Sequence, residues 1–311
     1  MIFTVTLNPA LDWELTVPAF AFDTVLRATS SAVDAGGKGF NVSRALAALE
    51  VPSCALGFVG GSTGQRLAGM LGAMDIATSL VWIAGETRTN VSIVAAEQGR
   101  YLKVNEPGPA IRAEEQAALL ARVQELTRPG DWWVLAGSLP PGVVSKFYGD
   151  LIAVIQQAGA RAILDSSGEP LRLGCAAGVW LVKPNLDEAG QITGLMLTPE
   201  RAAEALQPIH ALGAEHVLIS LGRAGAVLSD GRQAWRLRPP QVDEHNPIGA
   251  GDALVAGLVA GLCRGEALPD AAALGVACGA AAASLPGTAF GTRAQVEALR
   301  KGVTLTPLSP P

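Results

Sequence analysis

The chain opens with Ile2-Phe3-Thr4-Val5-Thr6-Leu7, a short β-branched run that predicts a first strand. Helical periodicity and short apolar runs then take turns. Residues 42–49 read as helix, 55–59 as strand, 65–71 as helix, 114–126 as helix and 132–135 as strand. The rhythm continues through helix 147–157, strands 161–164 and 179–182, helix 199–212 and strand 216–220. Such alternation predicts βα units around a mostly parallel sheet, an α/β fold. Two stretches break it: 13–33, and 87–106 with Glu97-Gln98-Gly99 as a turn, read as strands with no helices after them. They predict a small β lid on one domain spanning 1–311. The apolar segments 253–263 and 271–283 are separated by Arg264, Glu266 and Asp270, and each falls short of the roughly 18 residues that cross a bilayer. They read as buried helices.

Composition narrows the partners. With 311 residues, 49% of them hydrophobic, the chain can bury a large core, and disorder is excluded. A net charge of −5 supplies no long-range positive field for nucleic acid or an anionic membrane surface, so neither is expected as a partner. Anionic small ligands remain open to local basic residues. Cys54, Cys175, Cys263 and Cys278 form no Cys-x-x-Cys pair, and the three histidines share no metal-ligand spacing with them. Buried thiols in a reducing cytoplasm are expected, and the amino terminus lacks the basic region of a secretion signal.

The strongest local chemistry is Asn246-Pro247-Ile248-Gly249-Ala250-Gly251-Asp252, directly before a long apolar helix. Small residues at a helix start let an anion reach unpaired backbone N–H groups, where the helix dipole adds partial positive charge. Phosphoryl transfer needs that environment and a carboxylate to take the acceptor hydroxyl's proton, a role open to Asp252. Taken alone, the segment serves equally as a structural helix start with Asp252 as a capping charge. A Walker loop is absent, because Gly37-Lys38 precedes Gly39, and Gly57-Phe58-Val59-Gly60-Gly61 does not complete a dinucleotide fingerprint.

Other segments add to it. Strand 179–182 ends in Lys183-Pro184-Asn185-Leu186-Asp187-Glu188. Here Lys183 can meet nucleotide phosphates, and Asn185 with Glu188 can orient water around Mg²⁺; a capping box between Asn185 and Glu188 is the plainer alternative. After strand 216–220, Ser220, Gly222 and Gly225 form a glycine turn open to a nucleotide, or an ordinary hairpin. Asp34-Ala35-Gly36-Gly37-Lys38-Gly39-Phe40-Asn41-Val42-Ser43-Arg44 forms a second anion-friendly helix entrance.

The segments 36–44 and 246–257 together resemble the two signatures of the ribokinase-like (PfkB) sugar kinases, in the expected order. The similarity extends over essentially the whole chain, through Thr6-Leu7-Asn8-Pro9-Ala10-Leu11-Asp12, Glu86-Thr87-Arg88-Thr89-Asn90, Gly137-Ser138-Leu139-Pro140-Pro141-Gly142 and Asp165-Ser166-Ser167. These motifs look like the hexose-phosphate branch, which holds 1-phosphofructokinases, tagatose-6-phosphate kinases and a minor 6-phosphofructokinase; 180–185 is most similar to the first group. The resemblance implies a three-layer α/β/α sandwich, a β lid that often pairs in a homodimer, and ATP with Mg²⁺ as phosphoryl donor to a ketohexose monophosphate. Carried over by motif, Asp252 is the base, and Ala250 and Gly251 N–H groups, after Gly249, form the anion hole. Asp12 and Asn41 bond sugar hydroxyls, Gly36 and Gly37 admit the backbone to the sugar, and Ser138 joins the substrate side. Some members also bind a monovalent cation near the anion hole.

A phosphorylated sugar carries roughly two negative charges, so cations are needed at its site. Lys38, Arg88 and Lys103 are the candidates, with Lys103 also readable as a solvated strand charge. Relatives often carry Asn after the late alanine-rich helix, whereas this chain has Ser284-Leu285-Pro286-Gly287-Thr288, which leaves the adenine contacts unassigned. A serine hydrolase built on Ser138 lacks the Gly-x-Ser-x-Gly elbow. A kinase for a neutral sugar or nucleoside and a non-catalytic ligand-binding protein are the remaining alternatives.

Overall fold

The computed structural model describes residues 1–308. In chain order, β1 is Ile2–Thr6, β2 Ala10–Val17, β3 Ser30–Gly36, α1 Lys38–Ala48, β4 Cys54–Val59, α2 Gly61–Gly72, β5 Ala77–Thr78, β6 Val81–Trp82, β7 Arg88–Ala95 and β8 Arg100–Val104. Then follow α3 Ala113–Leu126, β9 Trp132–Ala136, α4 Phe147–Gln157, β10 Arg161–Asp165, α5 Gly168–Ala176, β11 Leu181–Val182, α6 Leu186–Thr193, α7 Leu206–Ala211 and β12 His216–Ser220. The chain closes with β13 Ala226–Ser229, β14 Ala234–Arg238, α8 Ala250–Cys263, α9 Leu268–Ala283, α10 Arg293–Arg300 and β15 Thr304–Leu308.

The main sheet runs β15-β14-β13-β12-β11-β10-β9-β1-β4-β5, with β6 also on β4, parallel from β12 to β5 and antiparallel from β12 to β15. Its parallel strands are buried on both faces, which is why they read as continuous apolar runs. Trp133, Leu135 and Leu164 point to the layer of α3 to α7, while Trp132, Val134 and Ile163 point to that of α1 and α8 to α10. This is the expected three-layer α/β/α sandwich. Helices α8 and α9 pack closely enough that a Cβ on Gly257 would lie 2.8 Å from Gly275 Cα, and one on Gly261 2.9 Å from Ala271 Cα. That contact buries α8 and fixes the direction of its first turn.

Three expectations change. The helix foreseen over 199–212 is a 3-10 turn at Ala202–Ala205 followed by α7. Pro208 has no N–H to donate, so it is tolerated only in the first turn of a restarted helix. The ladder expected over 179–182 narrows to β11. Helix α5 and the antiparallel edge β13 to β15 were not foreseen in the alternation.

The small second sheet has the order β3-β2-β7-β8, with the turn between β7 and β8 at residues 96–99. Its strands begin at Ala10 and end at Gly36 on one side, wider than 13–33. Register sorts its faces: Glu14, Ser92 and Lys103 align across three strands, as do Leu15, Ile93 and Leu102 in the next row. Successive residues point to opposite faces, so one face is polar and the other carries Trp13, Leu15, Ile93, Leu102 and Val104. Leu102 and Val104 are 53% and 58% exposed. No helix among the described residues is long and apolar enough to cross a membrane.

Candidate active site

The carboxyl ends of β1, β10, β11 and β12 meet the amino ends of α1 and α8 beneath the polar face of the lid sheet. The cleft between them is about 1630 Å³, and Asp12, Lys38, Asp165, Lys183, Glu188 and Asp252 all line it. Strand ends of open α/β sheets are the usual ligand crevice.

Asp252 lies in the first turn of α8 and is 7% exposed. The capping alternative does not hold, because α8 has no side-chain cap bond and Asp252 Oδ2 instead accepts from Asn41 Nδ2 at 2.8 Å. Gly249 starts the helix at φ 82°, a left-handed conformation that favours glycine. The Ala250 N–H, expected in the anion hole, is committed to Pro247 O at 3.2 Å. Among the described residues no acceptor meets the N–H groups of Gly251 and Asp252, so the open donors lie one residue further along. Lys183 Nζ stands 3.8 Å from where a Gly251 Cβ would be.

The centre of the charge network is Asp165, at the end of β10 and 1% exposed. Lys38 Nζ donates to its Oδ1 at 2.8 Å, and Lys183 Nζ lies 3.1 Å from its Oδ2. Burial alone would push the Asp165 carboxyl up, but Lys183 and Lys38 outweigh it and hold it below the usual range. Asp252 behaves oppositely. Burial and the nearby Asp165 charge push it up to about 7, against the Asn41 hydrogen bond and the two lysines. A carboxyl poised near neutrality suits a general base. Two ammonium groups against Asp165 leave one net positive charge beside the open N–H groups, where a phosphate would sit.

On the lid side, Asp12 Oδ1 accepts from Asn90 Nδ2 at 2.8 Å, and a side chain on Gly36 would collide with the Asp12 carboxylate. Gly37, at φ 120°, is held against Thr6, so part of the glycine signature serves helix-on-strand packing. Ser138 is exposed at the rim after β9. The three candidate phosphate cations differ from the expected ranking. Lys38 shares the Asp165 carboxylate with Lys183. Arg88 donates to Glu106 O at 2.8 Å and Asn8 O at 2.9 Å, but neutral carbonyls leave its charge intact. Lys103, the weakest candidate in the sequence, has no acceptor among the described residues and faces the cleft.

At the nucleotide end the capping box is formed: Asn185 Oδ1 accepts from Glu188 N at 2.8 Å, and Asn185 N donates to Glu188 Oε2 at 2.8 Å. Glu188 Oε1 is left over, so the pair fits an ion held mostly by water and phosphate oxygens and offers it one direct oxygen. Among the described residues no cluster of three or more metal-ligating side chains exists. Ser220, Gly222 and Gly225 line the same cleft. Gly225, at φ 89°, is also a packing requirement, since a Cβ there would strike Leu237 O. In the unassigned loop, Ser284 Oγ donates to Ala281 O at 2.8 Å and Thr288 Oγ1 to Asp34 Oδ2 at 2.9 Å.

Asp165 has its partners in distant segments, and no local pattern of the sequence marks it. Asn8, Asn90 and Asp34 were missed as contributors for the same reason.

Comparison with known proteins agrees with this geometry. Residues 6–295 match the profile described as pfkB family carbohydrate kinase. The chain is 37% identical to the 1-phosphofructokinase of Rhodobacter capsulatus, over 99% of this chain and 98% of that protein. It is 34% identical to a tagatose-6-phosphate kinase of Staphylococcus epidermidis, over 83% and 84%. The crystal structure of phosphofructokinase-2 from Escherichia coli in complex with potassium superimposes with a TM-score of 0.92 at 33% identity, covering 97% of this chain and 98% of that one. A sugar phosphotransferase site on a matching fold, together with these similarities, shows that the chain belongs to the pfkB family of carbohydrate kinases.

Proposed function

We propose that the protein transfers the γ-phosphoryl group of ATP, with Mg²⁺, to a hydroxyl of a ketohexose monophosphate, as a 1-phosphofructokinase; tagatose 6-phosphate and fructose 6-phosphate are the alternative acceptors. The observation that carries this is the buried Asp252 carboxyl beside unpaired helix-start N–H groups and Lys183. Asp252 Oδ2 is held by Asn41, so Oδ1 is the oxygen that takes the acceptor hydroxyl's proton. The hydroxyl oxygen then bonds to the γ-phosphorus as its bond to the ADP oxygen breaks, giving ADP, a sugar bisphosphate and one proton. Gly251 and Asp252 N–H groups and Lys183 hold the transferring oxygens in a fixed field. Bound Mg²⁺, oriented by Glu188, would neutralise phosphate charge. Asp12 and Asn90 orient the sugar, and Arg88 and Lys103 receive its existing phosphate.

The apolar lid face supports a homodimer in which a second copy covers Leu102 and Val104. A cytoplasmic location, where ATP and sugar phosphates are abundant, fits these substrates. A monovalent cation beside the anion hole is tested by exchanging K⁺ for Na⁺.

ADP release measured over fructose 1-phosphate, fructose 6-phosphate, tagatose 6-phosphate and the neutral sugars tests the reading. Turnover confined to neutral sugars would overturn it, as would Asp252→Asn with near-native turnover.

A further inference from the structure

Arg44 enters the sequence only as the last residue of a motif, yet its guanidinium is among the most committed groups near the site. Its side chain is 10% exposed. Nη1 donates to Ala35 O and to Asn41 Oδ1, both at 3.2 Å, and Nη2 donates to Asp34 Oδ1 at 3.1 Å. Asp34 is held in turn by the Thr288 hydroxyl at 2.9 Å, and the guanidinium lies 5.4 Å from the Phe290 ring centroid. A donor fixed from three sides therefore faces the carbonyl oxygen of the amide whose nitrogen reaches Asp252.

We propose that Arg44 is a positioning residue that locks the Asn41 amide with its NH₂ toward Asp252, and so sets the pH range over which Asp252 can act as base. The proposal rests on the reading of Asp252 as that base. With Arg44 present, turning the amide over sets NH₂ against a guanidinium and an oxygen against a carboxylate, losing two charge-assisted hydrogen bonds. Without Arg44, the turned amide loses only the second bond. Its oxygen can then accept from a protonated Asp252, which stabilises the form that cannot take a proton. The charged groups facing Asp252 are Lys38 on α1, Asp165 on β10 and Lys183 after β11, with Asn41 its hydrogen-bond partner. Asp252 also acts on Arg44 itself, beside Asp34 and Asp12 of the lid sheet, and Glu188 on α6 acts on Lys38. All but Arg44 and Asn41 are unchanged in the comparison below.

The test is the pH dependence of kcat at saturating ATP and acceptor for the native enzyme, Arg44→Met, Asn41→Ala and the double variant. Arg44→Met is expected to move the acid limb up by about one pH unit, which lowers kcat about 8-fold at pH 6.5 and leaves it within about twofold of native at pH 9. Asn41→Ala should move the limb similarly. Removing Arg44 in that background should then move it no further, because the two residues act as one. A full shift persisting without Asn41 would mean bulk charge and overturn the proposal, as would an equal loss at every pH. Arg44→Lys, which keeps the charge without the two-pronged contact, carries the same cycle should the Met variant fail to fold. Asp252→Asn is the separate control: native-like turnover there removes the base and the proposal with it.

Discussion

Replacing Asp252 by Asn should make the protein inactive and, above about pH 4, increasingly more stable than the native chain. The folded environment raises the carboxyl from an ordinary 3.8 to about 7, so the native state holds this proton more tightly than the unfolded chain does. Between those two values the native state binds more protons, and stability falls as pH rises; above about 7 the loss is complete. At about 1.36 kcal/mol for each tenfold change in proton affinity, the cost of the charged base is on the order of 4 kcal/mol. Relaxation around a buried site reduces this, so about 2 to 4 kcal/mol is the working expectation. Asn keeps the oxygen that accepts from Asn41 and carries no charge to bury. Urea or thermal unfolding at pH 5 and pH 8.5 measures the difference. At pH 5 the unfolded carboxyl is already ionised, so the variant should lead by about 1.5 kcal/mol there, and the two proteins should coincide only below the ordinary value of 3.8. At pH 8.5 the variant should gain several degrees in Tm, on the order of 5 °C. A variant that is less stable at pH 8.5, or a gap that does not grow with pH, would refute the account of Asp252 as a strained, buried charge.

Lys183→Met should cost about 2 to 3 kcal/mol in denaturant unfolding, because Asp165 then shares its buried charge with Lys38 alone, and ADP release should fall at least tenfold. Gly225→Ala combines a positive φ with a clash against Leu237 O and should lose at least about 2 kcal/mol of stability by the same measurement. Leu102→Glu on the apolar lid face should shift the sedimentation coefficient from dimer toward monomer and leave the far-ultraviolet circular dichroism unchanged. An unchanged sedimentation profile would remove the lid from the interface.

What the sequence disclosed follows from how local each feature is. Strands β9, β10 and β12 and helices α3 and α4 are set by runs of apolar residues that must be buried, and they were placed nearly to the residue. Asp252 and Asn185 were legible because a helix start writes its chemistry within a few positions. Asp165 was not, since its meaning comes from standing between Lys38 and Lys183, which only the parallel register brings together. Lys103 also reads as a solvated strand charge, whereas the availability of a cation depends on partners across the fold. Pro208 was visible, but its power to split 199–212 depends on where the helix restarts.

The amide–carboxylate contact between Asn41 and Asp252 spans 211 positions of the chain. Helix α1 is synthesised early and carries half of that contact, while α8 emerges only after most of the sheet's strands. Closing such a separation comes late in folding and is slow compared with local helix formation. Catalysis therefore reports completion: in a refolding experiment, recovery of turnover should trail recovery of helical signal.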